Sequence, residues 1–140
     1  MTATHSREVA VFVDTGAYAA LALTSDANHR RALATATALE RRRAFLCTTN
    51  WVVAEIYALI LARAGRTAAI SILDRFEQSP DLIVRVAEDD ERRAYEIVRH
   101  YQDKTFTLVD ATSFAVMERL GMTEAFTFTQ YGFRVVESEE

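Results

Sequence analysis

Apolar residues fall along the chain in two alternating rhythms: short β-branched runs, and longer stretches of helical composition. Val9 to Val13 is continuous and apolar, the pattern of a strand buried on both faces. Ala44 to Thr48 and Leu82 to Val86 predict a second and third strand, and Ala125 to Phe128 and Phe133 to Val136 the last two. Between them, Asp26 to Arg43 is rich in Ala, Leu, Arg and Glu, which favours helix. Trp51 to Ala64 predicts another helix, with Thr48, Thr49 and Asn50 offering N-cap oxygens and Gly65 marking its end. A helix over Thr67 to Gln78 is stopped by Ser79-Pro80-Asp81. Ala87 to Tyr101 carries Glu88, Asp89, Asp90 and Glu91 in its first turn, which suits the positive end of a helix dipole. The last helix opens at Val109 or Asp110 and ends near Gly121, while Gly16 suits a tight turn after the first strand.

Strands alternating with helices predict an α/β fold, a parallel sheet flanked by helices on both faces. No linker, repeat or low-complexity segment interrupts residues 1–140, so a single domain is expected. In such sheets ligands gather beyond the carboxyl ends of the strands. Asp14 lies at one such end and Thr129 at another.

Three carboxylates interrupt the apolar pattern. Asp14 ends the first strand, Glu55 stands inside an apolar helix, and Asp110 opens the apolar segment Ala111 to Leu120. An ionised carboxylate in a dry interior must pair, protonate or bind a cation. Asp14 and Asp110 each also read as ordinary helix N-caps. Glu55 resists that reading: its neighbours at helical spacing are Trp51, Val52, Ala58 and Leu59, and the helix, apolar almost all round, is expected to be mostly buried. A structural ion pair with an arginine remains its alternative. Converging carboxylates repel by about 4 kcal/mol per pair at ~4 Å and an effective dielectric of ~20. A hard divalent cation removes that penalty, and an all-oxygen set selects Mg²⁺ or Mn²⁺ over zinc. Such ions polarise phosphate and activate water for in-line hydrolysis.

Composition narrows the class. Half of the 140 residues are hydrophobic and 26% charged, the balance of a soluble globular protein. A net charge of −4 argues against a protein that coats nucleic acid generally, although arginines cluster at 30–31, 41–43 and 92–93. The plain reading of those clusters is solvated helix faces. The one cysteine, Cys47, sits among apolar residues and reads as a buried, inert thiol in a reducing compartment. No apolar run is long enough to span a membrane, and Met1 to Glu8 has no apolar signal core, so a cytoplasmic protein is expected. The three histidines form no competing site, and neither a Gly-x-Ser-x-Gly elbow nor a phosphate-cradling glycine loop occurs.

Three segments then resemble PIN-domain nucleases of the VapC toxin type: Phe12-Val13-Asp14-Thr15, Asn50-Trp51-Val52-Val53-Ala54-Glu55, and Thr107 to Met117 around Asp110. The resemblance implies a Rossmann-like parallel sheet and cleavage of RNA dependent on Mg²⁺ or Mn²⁺, with Asp14, Glu55 and Asp110 holding the metal. It implies Thr15 as the hydroxyl that orients the first acid, with Thr107 and Thr127 as supporting hydroxyls. A small antitoxin partner and a homodimer are implied too. One departure stands out. The family usually follows its fourth strand with Thr-x-Asp-x-x-Phe, whereas Thr127-Phe128 is followed here by Thr129-Gln130-Tyr131-Gly132-Phe133. Thr129 occupies the place of a fourth acid, and the link from Phe128 to Phe133 is about four residues shorter than the pattern expects. Asp103, the nearest other acid before the last helix, reads as a surface turn.

Two functions compete with a ribonuclease. One is a PIN-fold protein of weak or lost activity that binds an antitoxin or RNA, which the short link favours. The other is a phosphatase using Asp14 as nucleophile, but that chemistry wants a second acid two residues on, where Gly16 stands.

Overall fold

The computed structural model describes residues 10–128, 132 and 134–136. Its five strands are β1 (Ala10–Val13), β2 (Phe45–Thr49), β3 (Leu82–Val84), β4 (Glu124–Phe126) and β5 (Arg134–Val135). They form one parallel sheet in the order β3-β2-β1-β4-β5. Six helices connect them: α1 (Thr15–Ala22), α2 (His29–Arg41), α3 (Asn50–Ala64), α4 (Arg66–Gln78), α5 (Glu88–His100) and α6 (Leu108–Leu120).

The continuous apolar run fulfils its promise at β1. Val11, Phe12 and Val13 are all buried, and they serve different cores. Val11 and Val13 pack with Ala17, Ala20, Ala32, Leu39 and Phe126. Phe12 packs with Cys47, Val52, Val116, Met117 and Ala125. Each such side chain contributes about 1.5–3 kcal/mol when fully buried. Tyr18 on α1 packs against both groups and against a third around Ile56, Ile60 and Ala69. Burial pushes the Cys47 thiol up to about 11, in keeping with an inert role.

Several elements differ from the sequence expectation. The helix expected from Asp26 begins at His29, because the Asp26 carboxylate accepts from Asn28 N at 2.8 Å and closes a turn there instead. β3 stops at Val84: Val86 N donates to the Asn50 side chain at 2.8 Å and leaves the ladder. Gly16 makes no tight turn and lies in the first turn of α1, capped by Asp14. Asp110 is not an N-cap. Thr107 holds that position, and Asp110 stands three residues inside α6.

The largest correction concerns α3, which is not buried all round. Only Val52, Ile56 and Ile60 are buried along it, while Ala54, Ala58 and Leu61 are exposed. The helix packs on β2, α1, α4 and α6 from one side, and its apolar composition extends beyond what those neighbours cover. Thr129 and most of the Phe128–Phe133 link, where a missing fourth acid was expected, lie outside the described residues. Asp103 is an exposed turn residue, as expected. No helix among the described residues is long and apolar enough to cross a membrane.

Candidate active site

The site forms at the carboxyl edge of the two central strands. β1 and β4 pair with Val13 opposite Phe126, so the residues that follow, Asp14 and Thr127, emerge side by side. Asp14 N donates to Phe126 O at 3.3 Å and extends the ladder to the edge. The Asp14 carboxylate caps α1, accepting from Ala17 N at 3.1 Å, and its other oxygen accepts from the Thr127 hydroxyl. Asp14 is 8% exposed and Thr127 2%.

Those bonds do not compensate the charge. Burial pushes the Asp14 carboxyl up to about 6, the bonds from Thr127, Ala17 and Gly16 pull it down, and the charge of the Asp110 carboxylate adds to the rise. Asp110 is held by a reciprocal cap: its backbone N donates to Thr107 Oγ1 at 3.0 Å, and its carboxylate accepts from Thr107 N at 3.0 Å. That bond uses Asp110 Oδ2; Oδ1 accepts no hydrogen bond among the described residues.

The fold thus brings Asp14 and Asp110 into electrostatic contact. It does not bring Glu55 to them. Glu55, half-buried in the second turn of α3, makes no hydrogen bond or ion pair among the described residues. Nor do any three His, Cys, Asp or Glu side chains there stand close enough to hold one metal ion. The hydroxyl that touches Asp14 belongs to Thr127, while Thr15 Oγ1 is buried without a hydrogen-bond partner among the described residues. A cation fits the pair by chemistry. Both are hard oxygen donors that sense each other's charge, and Asp14 is a buried carboxylate that no positive side chain among the described residues neutralises.

Residues 11–136 match the PIN domain. The chain belongs to the PIN domain family. This PIN domain is 33% identical over 119 residues to the 23S rRNA-specific endonuclease VapC20 of Mycobacterium tuberculosis, in two strains, covering 84% of this chain and 88% of the relative. The crystal structure of that protein, described as a sarcin-ricin loop cleaving toxin, superposes with a TM-score of 0.74 at 32% identity, over 85% of this chain and 89% of the other. FitAcB from Neisseria gonorrhoeae shares the fold, with a TM-score of 0.61 at 17% identity over 90% and 96% of the two chains.

Two ion pairs of this PIN domain, each between a buried carboxylate and an exposed arginine, were missed in the sequence. Arg119 grips Asp90 through Nε and Nη2 at 2.9 and 2.8 Å, and Arg42 reaches Glu124 at 3.0 Å. Asp90 carried a signal as one of four acids opening α5, but only packing of α6 singles it out. Glu124 carried none.

The Thr127 contact supports a prediction. Its hydrogen bond favours the charged form of Asp14, so Thr127→Val, which keeps shape and burial, is expected to raise the Asp14 pKa further toward neutrality. A ¹³C titration of the Asp14 carboxyl in metal-free protein checks this; an unchanged midpoint would show that Thr127 does not tune the acid.

Proposed function

We propose that this PIN domain is a ribonuclease of the VapC toxin class that depends on Mg²⁺ or Mn²⁺. One observation carries the reading: a buried, uncompensated Asp14 at the strand edge that senses the charge of Asp110, in a chain one-third identical to a ribosomal RNA endonuclease. Asp14 and Asp110 would hold the ion; Glu55, which stands apart from them in the metal-free fold, is proposed to join as a third carboxylate only when the ion is bound. When bound, such an ion polarises a phosphodiester and acidifies water for in-line attack. The chain's own residues prepare the place for it. Thr127 fixes the Asp14 carboxylate and favours its ionised form, and the Thr107 cap fixes Asp110 at the start of α6. The substrate class to test first is a structured ribosomal RNA loop. In the cell, a small antitoxin protein and a second copy of this chain are the proposed partners, in the cytoplasm.

Purified protein is expected to cut RNA in Mn²⁺ and to stop in EDTA, with Glu55→Gln reducing the rate by about tenfold or more. Equal cleavage in EDTA would overturn the metal reading. Undiminished cleavage by Glu55→Gln would remove that residue from the site.

A further inference from the structure

We propose that Arg31, stacked on Phe128, is the docking cation that holds a backbone phosphate of single-stranded RNA on the Phe128 side of Asp14. The inference rests on the ribonuclease reading and adds a residue outside its acids.

The placement follows from short links. A Cβ built on Gly16 would meet Asp14 Oδ1 at 3.5 Å and the Phe128 ring at 4.0 Å, so Phe128 flanks the same patch of backbone as the first acid. The Arg31 guanidinium carbon lies 5.0 Å from the centre of that ring. Phe128 is itself steadied edge-on by Phe126, centroids 6.4 Å apart. A guanidinium on an aromatic face keeps its donors pointing outward, in a rigid fork matched to phosphate. Arg31 also donates to Asn28 Oδ1 at 3.0 Å, which limits its swing.

The segment carrying it is anchored. His29 Nδ1 lies 2.7 Å from Ala20 O, tying the start of α2 to α1, and Ala32 is fully buried next to Arg31. Arg31 itself is exposed.

Charge decides what it is for. Arg42, Arg92, Arg93 and Arg119 are each engaged by a carboxylate. Arg31, like Arg30, Arg41 and Arg43, makes no ion pair among the described residues, and its stacking on Phe128 is what sets it apart. A chain of net charge −4 with carboxylates at this edge repels a phosphate strand, so a cation near the edge is what the substrate needs.

The test compares wild type, Arg31→Ala, Arg31→Glu and Arg31→Lys. In the Asp14→Asn background, fluorescence anisotropy follows binding of a labelled single-stranded RNA as salt is varied. Arg31→Ala is expected to weaken binding about tenfold and to lower the slope of log K against log salt by about 0.7, the value of one phosphate contact on a single strand. Arg31→Lys is expected to recover the slope and only part of the affinity, having the charge without the planar fork. Arg31→Glu is expected to be weaker than Arg31→Ala. With Asp14 intact, the loss should fall on KM rather than kcat. Unchanged affinity and slope in a chain that cuts RNA would overturn the docking role alone, as would a kcat loss matched by a lower melting temperature. A wild type that neither binds nor cuts RNA would overturn the docking role and the ribonuclease reading together.

Discussion

Asp14→Asn is expected to yield a protein that is more stable than wild type and unable to cut RNA. Burial holds the Asp14 carboxyl at about 6 in the folded chain, against an ordinary value of 3.8. At neutral pH the ionised form is therefore a burden on the fold, on the order of 3 kcal/mol at most. Asparagine keeps the shape. Its oxygen accepts from Ala17 N, and its amide donates to the Thr127 hydroxyl, so both present bonds have successors. A gain of about 1–3 kcal/mol, or roughly 3–10 °C in metal-free buffer at pH 7.5, is the expected size.

The sign of the pH dependence tests the cause. The folded chain binds this proton more tightly than the unfolded one. Its contribution is therefore fully present below about pH 4 and is lost as pH rises through 6. The advantage of Asp14→Asn should accordingly shrink toward zero at pH 4 and reach its full size above pH 7. Melting curves in EDTA across that range measure it. A difference that is flat with pH would mean that the variant acts through packing rather than charge. Added Mn²⁺ should reverse the order, stabilising wild type and leaving the variant unmoved, because the ion supplies the charge that the fold withholds.

What the sequence could and could not convey follows from the range of each interaction. The run Val9 to Val13 announced a buried strand because burial on both faces leaves no polar position to hide the signal, and Asp14 stood out by ending it. Helix starts were harder. Asp26 looked like the beginning of a helix by composition, yet its carboxylate turns back on Asn28 N, a choice made between two local hydrogen bonds of similar strength. Apolar composition in α3 was read as burial all round, but composition says nothing about which neighbours arrive, and Ala58 and Leu61 stay exposed. Glu55 is accordingly half-buried rather than enclosed. Thr127 reaches Asp14 across 113 residues through the register of β1 and β4, and Arg31 meets Phe128 only because α2 folds back along α1. These contacts are properties of the assembled sheet, and no local pattern encodes them.

Arg119→Leu is expected to cost about 1.5–3 kcal/mol, because it removes the charge-assisted bonds of a carboxylate that has no second cation. The Asp90 side chain is 3% exposed, and Arg119, at 40%, covers it with two charge-assisted bonds while also reaching Arg85 O at 3.4 Å. The pair holds the Asp90 carboxyl below its ordinary value, so its stabilisation is present above about pH 4 and disappears as pH falls through the lowered value. Wild type should thus lose this contribution in acid, whereas Arg119→Leu should have none to lose, and the gap between their melting temperatures should close as pH falls through the lowered value. The double variant Asp90→Asn, Arg119→Leu removes the stranded charge and should recover part of the loss; no recovery would place the cost in lost packing of the arginine stem instead. The consequence reaches the site because the bond joins α5 to the far end of α6, whose first turn carries Asp110. Loosening that joint should therefore weaken the response of the melting temperature to Mn²⁺ as well as lowering the temperature itself, and a full response in Arg119→Leu would show that Asp110 is positioned by its own cap alone.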